Sequence, residues 1–204
     1  MQLYYKPGAC SLASHILLRE TEERFELVKV DTESGQTESG DAYRDVNARG
    51  YVPALRLGSG DVLTESLSIL QYIADQAPHT ALAPTAGTVK RARLEEVLSF
   101  LASEVHKAFS PFFSGVTLGE PGAEPHEAKL RNRLGLLAGF MTDGRPYLLG
   151  EQYSLADAYA FTVLNWAGFI GLNLADWPAL AGLHGRVSER PAVQAALKAE
   201  GLVQ

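Results

Sequence analysis

Tyr5-Lys6-Pro7-Gly8-Ala9-Cys10-Ser11-Leu12-Ala13-Ser14-His15 is the stretch on which the reading of this chain turns. Ahead of it, Gln2 to Lys6 reads as a short strand, and Pro7-Gly8 is a turn signal. Behind it, Ser11 to Glu20 carries apolar residues at Leu12, Ala13, Ile16 and Leu17, which is helix spacing. Cys10 therefore falls where a turn gives way to a helix. The first backbone N–H groups of a helix lack intrahelical acceptors, and their partial positive charge stabilises an anion. A thiol placed there is expected to have a lowered pKa and more thiolate at neutral pH. The competing role is that of a small buried hydrophobe. Ala13 stands three positions on, so there is no CxxC pair and no internal dithiol cycle. A mixed disulfide with a small thiol, or a hydrogen bond to its thiolate, stays open.

Working outward, Phe25 to Val30 reads as a second strand and Thr32 to Gly40 as a loop, with one helical turn at Asp41 to Val46. Ala54 to Leu57 and Val62-Leu63 form a hairpin across Gly58-Ser59-Gly60-Asp61. Glu65 to Gln76 is again helical. The order β-α-β, then β-β-α, predicts a small α/β sandwich with a mixed sheet over residues 1–80. Residues 81–87, with Pro84 and Gly87, read as a linker. From 88 to 204 the strand signals vanish. One long helical pattern runs from Thr88 to about Phe113, followed by helices near 125–142, 154–169, 178–188 and 192–200.

Two further positions have two readings each. Pro53 cannot donate to a sheet, so Val52-Pro53 marks an ordinary trans strand start or a cis bond that leaves the Val52 backbone able to pair with an extended peptide. Thr64-Glu65-Ser66 suits a plain helix cap, or a carboxylate site made from backbone N–H groups and the Ser66 hydroxyl. On the long helix, Ser99, Ser103, His106 and Ser110 lie at i, i+4, i+7 and i+11, a polar stripe beside the apolar one. Ser154-Leu155-Ala156-Asp157 is a capping-box variant, which assigns Asp157 to folding.

Composition narrows the classes. The 204 residues carry a net charge of −6, and no basic patch suited to phosphates is visible, so nucleic acid is not an expected partner. The sole cysteine excludes an internal disulfide. No signal peptide is apparent, and the apolar run Ala156–Leu174 is broken by Asp157, Asn165 and Asn173, so it reads as a buried helix rather than a membrane span. A reducing cytoplasm is the expected compartment. The five histidines show no metal-ligand spacing, and no metal is expected.

A thiol at a helix start, a strand edge for backbone pairing and a second helix start for a carboxylate would together suit a short acidic thiol peptide. The residues 5–15, Val46-Asn47 through Leu55, Leu63-Thr64-Glu65-Ser66, Glu104-Val105-His106-Lys107 with Phe109, Ser154 to Tyr159 and Glu189-Arg190-Pro191 resemble the beta-class, bacterial glutathione transferases nearly end to end. The resemblance implies a thioredoxin-like N-terminal domain, an all-helical C-terminal domain, a homodimer, a cis Val52-Pro53 bond, and glutathione as co-substrate in the groove between domains. It implies Cys10 and His106 near the glutathione sulfur, with Ser11 beside them and Val52 and Pro53 along the tripeptide. Glu65 and Ser66 would hold the γ-glutamyl end, and Ser99, Ser103 and Glu104 make further contacts, some across the dimer. Phe109, Phe112, Phe113, Trp166 and Phe169 would supply an apolar electrophile pocket, with core packing as the alternative role for several of them. Gly35 and Ser99 depart from the lysine and asparagine common in the family. The implied reaction is conjugation of glutathione to small apolar electrophiles, a detoxification chemistry. The rivals are glutathione-dependent thiol–disulfide exchange or peroxide reduction through Cys10, and non-catalytic carriage of apolar ligands.

Overall fold

The structure is a computed structural model and describes residues 1–203. The chain divides into two compact units. One is Met1–Ala83 together with the chain from Glu189 onward; the other is Pro84–Ser188.

In the first unit, strands β1 (Gln2–Tyr5), β2 (Glu26–Asp31), β3 (Gln36–Thr37), β4 (Ala54–Arg56) and β5 (Val62–Thr64) form one sheet in the order β3-β2-β1-β4-β5. β1 runs parallel to β2 and antiparallel to β4, with Leu3 opposite both Leu27 and Leu55. The sheet is mixed, as the segment order predicts. β3 lies inside the stretch read as a loop, because two residues are too short to show alternation. Helix α1 spans Ser11–Glu20 and α2 spans Ser66–Gln76.

Successive strand residues face opposite sides of a sheet. Tyr5 turns toward α1, its ring 6.3 Å from that of His15, while Tyr4 turns the other way, 5.6 Å from Tyr43. Ser11 through Leu18 are all buried, since α1 packs against β1, α2 and the last helix, α8 (Pro191–Ala199). Leu12, Ile16, Leu17 and Leu18 are fully buried, and each such side chain stabilises the fold by roughly 1.5–3 kcal/mol. The grouping of α8 with the first unit differs from a helical domain running over 88–204. Local periodicity reports that a segment is helical but not which core it joins.

The second unit contains α3 (Val89–Phe100), α4 (His106–Phe109), α5 (Glu124–Gly139), α6 (Leu155–Phe169) and α7 (Pro178–Ser188). α6 is its centre, buried from Leu155 through Leu164. No helix among the described residues is long and apolar enough to cross a membrane. The expected single helix from Thr88 to Phe113 is interrupted. A π-helical turn, Leu101–Val105, separates α3 from α4, and a 3-10 turn, Ser110–Phe113, follows. Pro111 accounts for the second break, because proline lacks the N–H that would continue the helix. The π-turn inserts one residue's worth of rotation, on the order of 100°, which no local pattern announces.

Candidate active site

Cys10 sits at the start of α1 with its backbone already helical (φ −60°, ψ −18°) and makes no side-chain cap. A capping side chain needs an extended backbone to reach the first-turn N–H groups. The thiol points elsewhere: it is partly exposed, and Sγ donates to the Val52 carbonyl at 3.3 Å. Only the thiol can donate that bond; a thiolate cannot.

The loop before Cys10 is held from several directions. Gly8 adopts φ +71°, a left-handed conformation that glycine takes without steric cost. Its buried N–H donates to Glu200 Oε2 at 2.9 Å, and Glu200 Oε1 bonds His15 Nδ1 at 2.9 Å. Arg19 Nε donates to His15 Nε2, so the proton of that imidazole is on Nδ1 and points at Glu200. The Ser11 hydroxyl is buried and closes the loop, accepting from Lys6 N and donating to Lys6 O, both at 3.2 Å. Of Ser11, only the backbone is left for a ligand.

Val52-Pro53 is cis, as the resemblance implies and local sequence alone does not decide. Pro53 is buried and Val52 half-buried. The approach to the bond is braced at Tyr51, whose carbonyl accepts from Tyr43 Oη at 2.8 Å and Asn47 Nδ2 at 2.7 Å. Burial pushes the Tyr43 phenol up to about 12, so it remains a donor at every ordinary pH.

At the start of α2, Glu65 has φ +70° and ψ 123° and no side-chain cap is made. The capping reading of Thr64-Glu65-Ser66 is therefore not what the structure has. A non-glycine residue in this region costs of order 1–3 kcal/mol, a strain typical of ligand sites. The Glu65 carboxylate is exposed and pairs with Arg49 at 2.7 Å. Such exposed pairs contribute about 0.2–1 kcal/mol. Arg49 was not singled out from sequence, although it lies inside the Asn47–Pro53 stretch. Gly35 has φ +72° in the turn between β2 and β3, which explains glycine there by backbone geometry.

In the helical unit, His106 is largely buried. Its Nδ1 is 2.9 Å from Tyr159 Oη, and its ring meets Trp166 edge-on at 4.7 Å. Burial foremost, then the Lys107 charge, pushes the imidazole down to about 4, so it is neutral at pH 7. Tyr159 carried no expected role in the sequence reading. Ser99 and Ser103 are exposed, with the Ser103 hydroxyl donating to Ser99 O, and Glu104 pairs with Arg133 at 2.6 Å. The expected polar stripe is thus split: Ser99 and Ser103 face solvent, Ser110 is half-buried, and His106 faces α6. Phe109 and Trp166 are core residues, 5.7 Å apart; Phe112 is buried too. Phe113 stands edge-on to Trp166 at 5.5 Å and is exposed, and Phe169 is exposed. Of the five aromatics read as a pocket, three are therefore buried packing, and Phe113 and Phe169 offer surface.

Among the described residues, no group of three or more His, Cys, Asp or Glu side chains is placed to hold a metal ion. A cavity of about 310 Å³ lies on the Tyr4 face of the sheet, bordered by Arg56, Asp41 and Asp45, and includes none of the candidate residues.

Comparison with known proteins places the chain in a family. Family models described as glutathione S-transferase N-terminal domain and C-terminal domain match residues 8–76 and 94–191. Glutathione S-transferase GstA of Escherichia coli O157:H7 is 44% identical over 202 residues, covering 99% of this chain and all of the relative. The bacterial beta class enzyme of Sphingomonas chungbukensis superposes with a TM-score of 0.93 at 47% identity over the full length of both chains. A sphingomonad glutathione S-transferase solved with glutathione superposes at 0.91 and 46% identity, again end to end. A thiol at the mouth of α1, a cis Val52-Pro53 bond and kinship over the whole chain lead to one assignment: the chain belongs to the glutathione S-transferase family, in its beta class.

Proposed function

We propose that this protein conjugates the thiol of glutathione to small apolar electrophiles, RX + GSH → R–SG + HX. The observation that carries the reading is the partly exposed Cys10 thiol at the start of α1, 3.3 Å from the carbonyl of the cis-bonded Val52. The reacting sulfur belongs to glutathione and must be an anion to attack. Cys10 and the positive end of α1 stabilise that anion, and the proton leaves with X. Ser11 contributes through its backbone. The Val52 backbone pairs with the extended tripeptide beside Pro53, and Glu65 with Ser66 holds the γ-glutamyl end. Glutathione contact by Ser99, Ser103, Glu104 and His106, and electrophile contact by Phe113 and Phe169, belong to the same proposal. So do a homodimer as the working form and the cytoplasm as its compartment; sedimentation of the purified protein tests the former.

The experiment is retention on immobilised glutathione followed by a panel of electrophiles, beginning with chlorodinitrobenzene, with wild type beside Cys10→Ala. Acceleration by wild type is the expected result, and retention without acceleration of any electrophile rejects conjugation in favour of carriage. The exposure of Cys10 Sγ also favours a second reading, exchange with a glutathionylated substrate, in which the Cys10 thiolate takes up the glutathionyl group and releases the substrate thiol. Exchange that disappears in Cys10→Ala while conjugation persists would assign the two chemistries to different sulfurs.

A further inference from the structure

We propose that the Tyr159 hydroxyl donates to His106 Nδ1 and thereby fixes this imidazole as the Nε2–H tautomer, a neutral donor suited to the glutathione thiolate. The inference rests on the reading of His106 as a glutathione-binding residue and names the residue that makes it competent.

The two groups are 2.9 Å apart, Tyr159 is fully buried, and His106 is mostly so. A phenol is a far stronger acid than a neutral imidazole N–H, and the bare imidazole nitrogen is the better acceptor. The shared proton therefore belongs on the phenol, which leaves the imidazole proton on Nε2. The ring is held in orientation as well as in tautomer. The Trp166 ring stands steeply inclined to it with centroids 4.7 Å apart, and Phe109 and Phe113 pack against Trp166 in the same T-shaped way. Tyr159 and Trp166 both project from α6, the most buried helix of this unit, whose first turn is clamped two residues before Tyr159 by Asp157. A donor carried on rigid elements loses little to reorganisation. The π-turn at Leu101–Val105 supplies the rotation that brings His106 to this face.

The neutral state matters chemically. Burial and the neighbouring Lys107 both disfavour a second proton on the ring. An imidazolium so unwilling to hold its proton would protonate a thiolate; a neutral N–H stabilises the anion and leaves it nucleophilic. Tyr159 is thus a positioning residue.

Imidazole nitrogen NMR of the labelled wild-type protein, with His106 assigned through His106→Ala, reads the tautomer directly. A single Nε2–H tautomer is expected; the Nδ1–H tautomer, or an even mixture, overturns the proposal without any variant having to fold. In Tyr159→Phe, which keeps the ring and removes the hydroxyl, the two tautomers should mix. The kcat for conjugation should fall about tenfold with KM for glutathione changed by less than about twofold. Adding Tyr159→Phe to His106→Ala should cause no further loss. Full kcat in Tyr159→Phe beside an impaired His106→Ala overturns the role of Tyr159 alone. Full activity in His106→Ala instead removes His106 from the reaction, and with it the reading underneath.

Discussion

Two helix N-termini in this protein are built in opposite ways. α6 begins with a local clasp: Ser154 is extended (φ −139°, ψ 172°), and Asp157 accepts from Ser154 N and Oγ and from Leu148 N, each at 2.8 Å. α1 begins at Cys10 with a helical backbone and no side-chain cap, and its loop is instead held by Glu200, 192 residues away from Gly8 in sequence. The first arrangement neutralises a helix start and buries it. The second leaves a helix start without a side-chain cap while bonding its loop from behind. The lesson is that a helix terminus without its own side-chain cap can take its support through tertiary contact instead.

Breaking the local clasp should have the largest effect. Asp157→Ala strips the acceptor from three buried donors and should cost about 3–5 kcal/mol, read as a lower urea midpoint at unchanged slope. Next comes the borrowed support. Glu200→Ala leaves Gly8 N–H and His15 Nδ1–H without their acceptor and should cost about 2–4 kcal/mol. Unlike Asp157→Ala, it should also alter the alkylation rate of Cys10; equal rates in the two variants would deny that Glu200 supports the thiol loop.

The pH dependence separates the same two elements from the histidine. His106 is pushed from 6.5 down to about 4, so between those values the unfolded chain binds more protons than the folded protein. Its contribution is complete above pH 6.5 and is lost as the pH falls toward 4. Asp157 runs the other way: burial pushes it from 3.8 up to about 6, so its contribution is complete below 3.8 and is lost as the pH rises through 6. His106→Phe removes the rising contribution and leaves the falling one of Asp157, so stability should decrease with pH across that window relative to wild type, by on the order of 3 kcal/mol. The smallest effect sharpens the contrast between the caps. Ser154→Ala should cost about 1 kcal/mol, whereas Cys10→Ser should change stability by less than about 0.5 kcal/mol, because a helical backbone at position 10 keeps any hydroxyl away from the first-turn N–H groups. A clear gain in Cys10→Ser would make α1 an ordinary capped helix.

Much of this was legible in the chain. α1 and α7 follow their apolar spacing residue for residue, and the Ser154–Asp157 clasp is written within four positions. The placement of Cys10 at a helix start follows from Pro7-Gly8 and the periodicity behind it. The thiol's partner at Val52, the pairing of Arg49 with Glu65 and the contact of His106 with Tyr159 join residues from separate segments, and none leaves a local mark.

The sequence by itself determined where most of the helices and the longer strands form, which helix carries the thiol, and which buried carboxylate caps its own helix. These depend on residues within a turn or two of each other, where period and side-chain reach decide the outcome. Only the tertiary structure decided that α8 joins the first unit, that Glu200 braces the thiol loop and that a π-turn faces His106 toward α6. Those outcomes depend on which buried polar groups find partners once distant segments pack, and that satisfaction is a property of the assembled core rather than of any window of the chain.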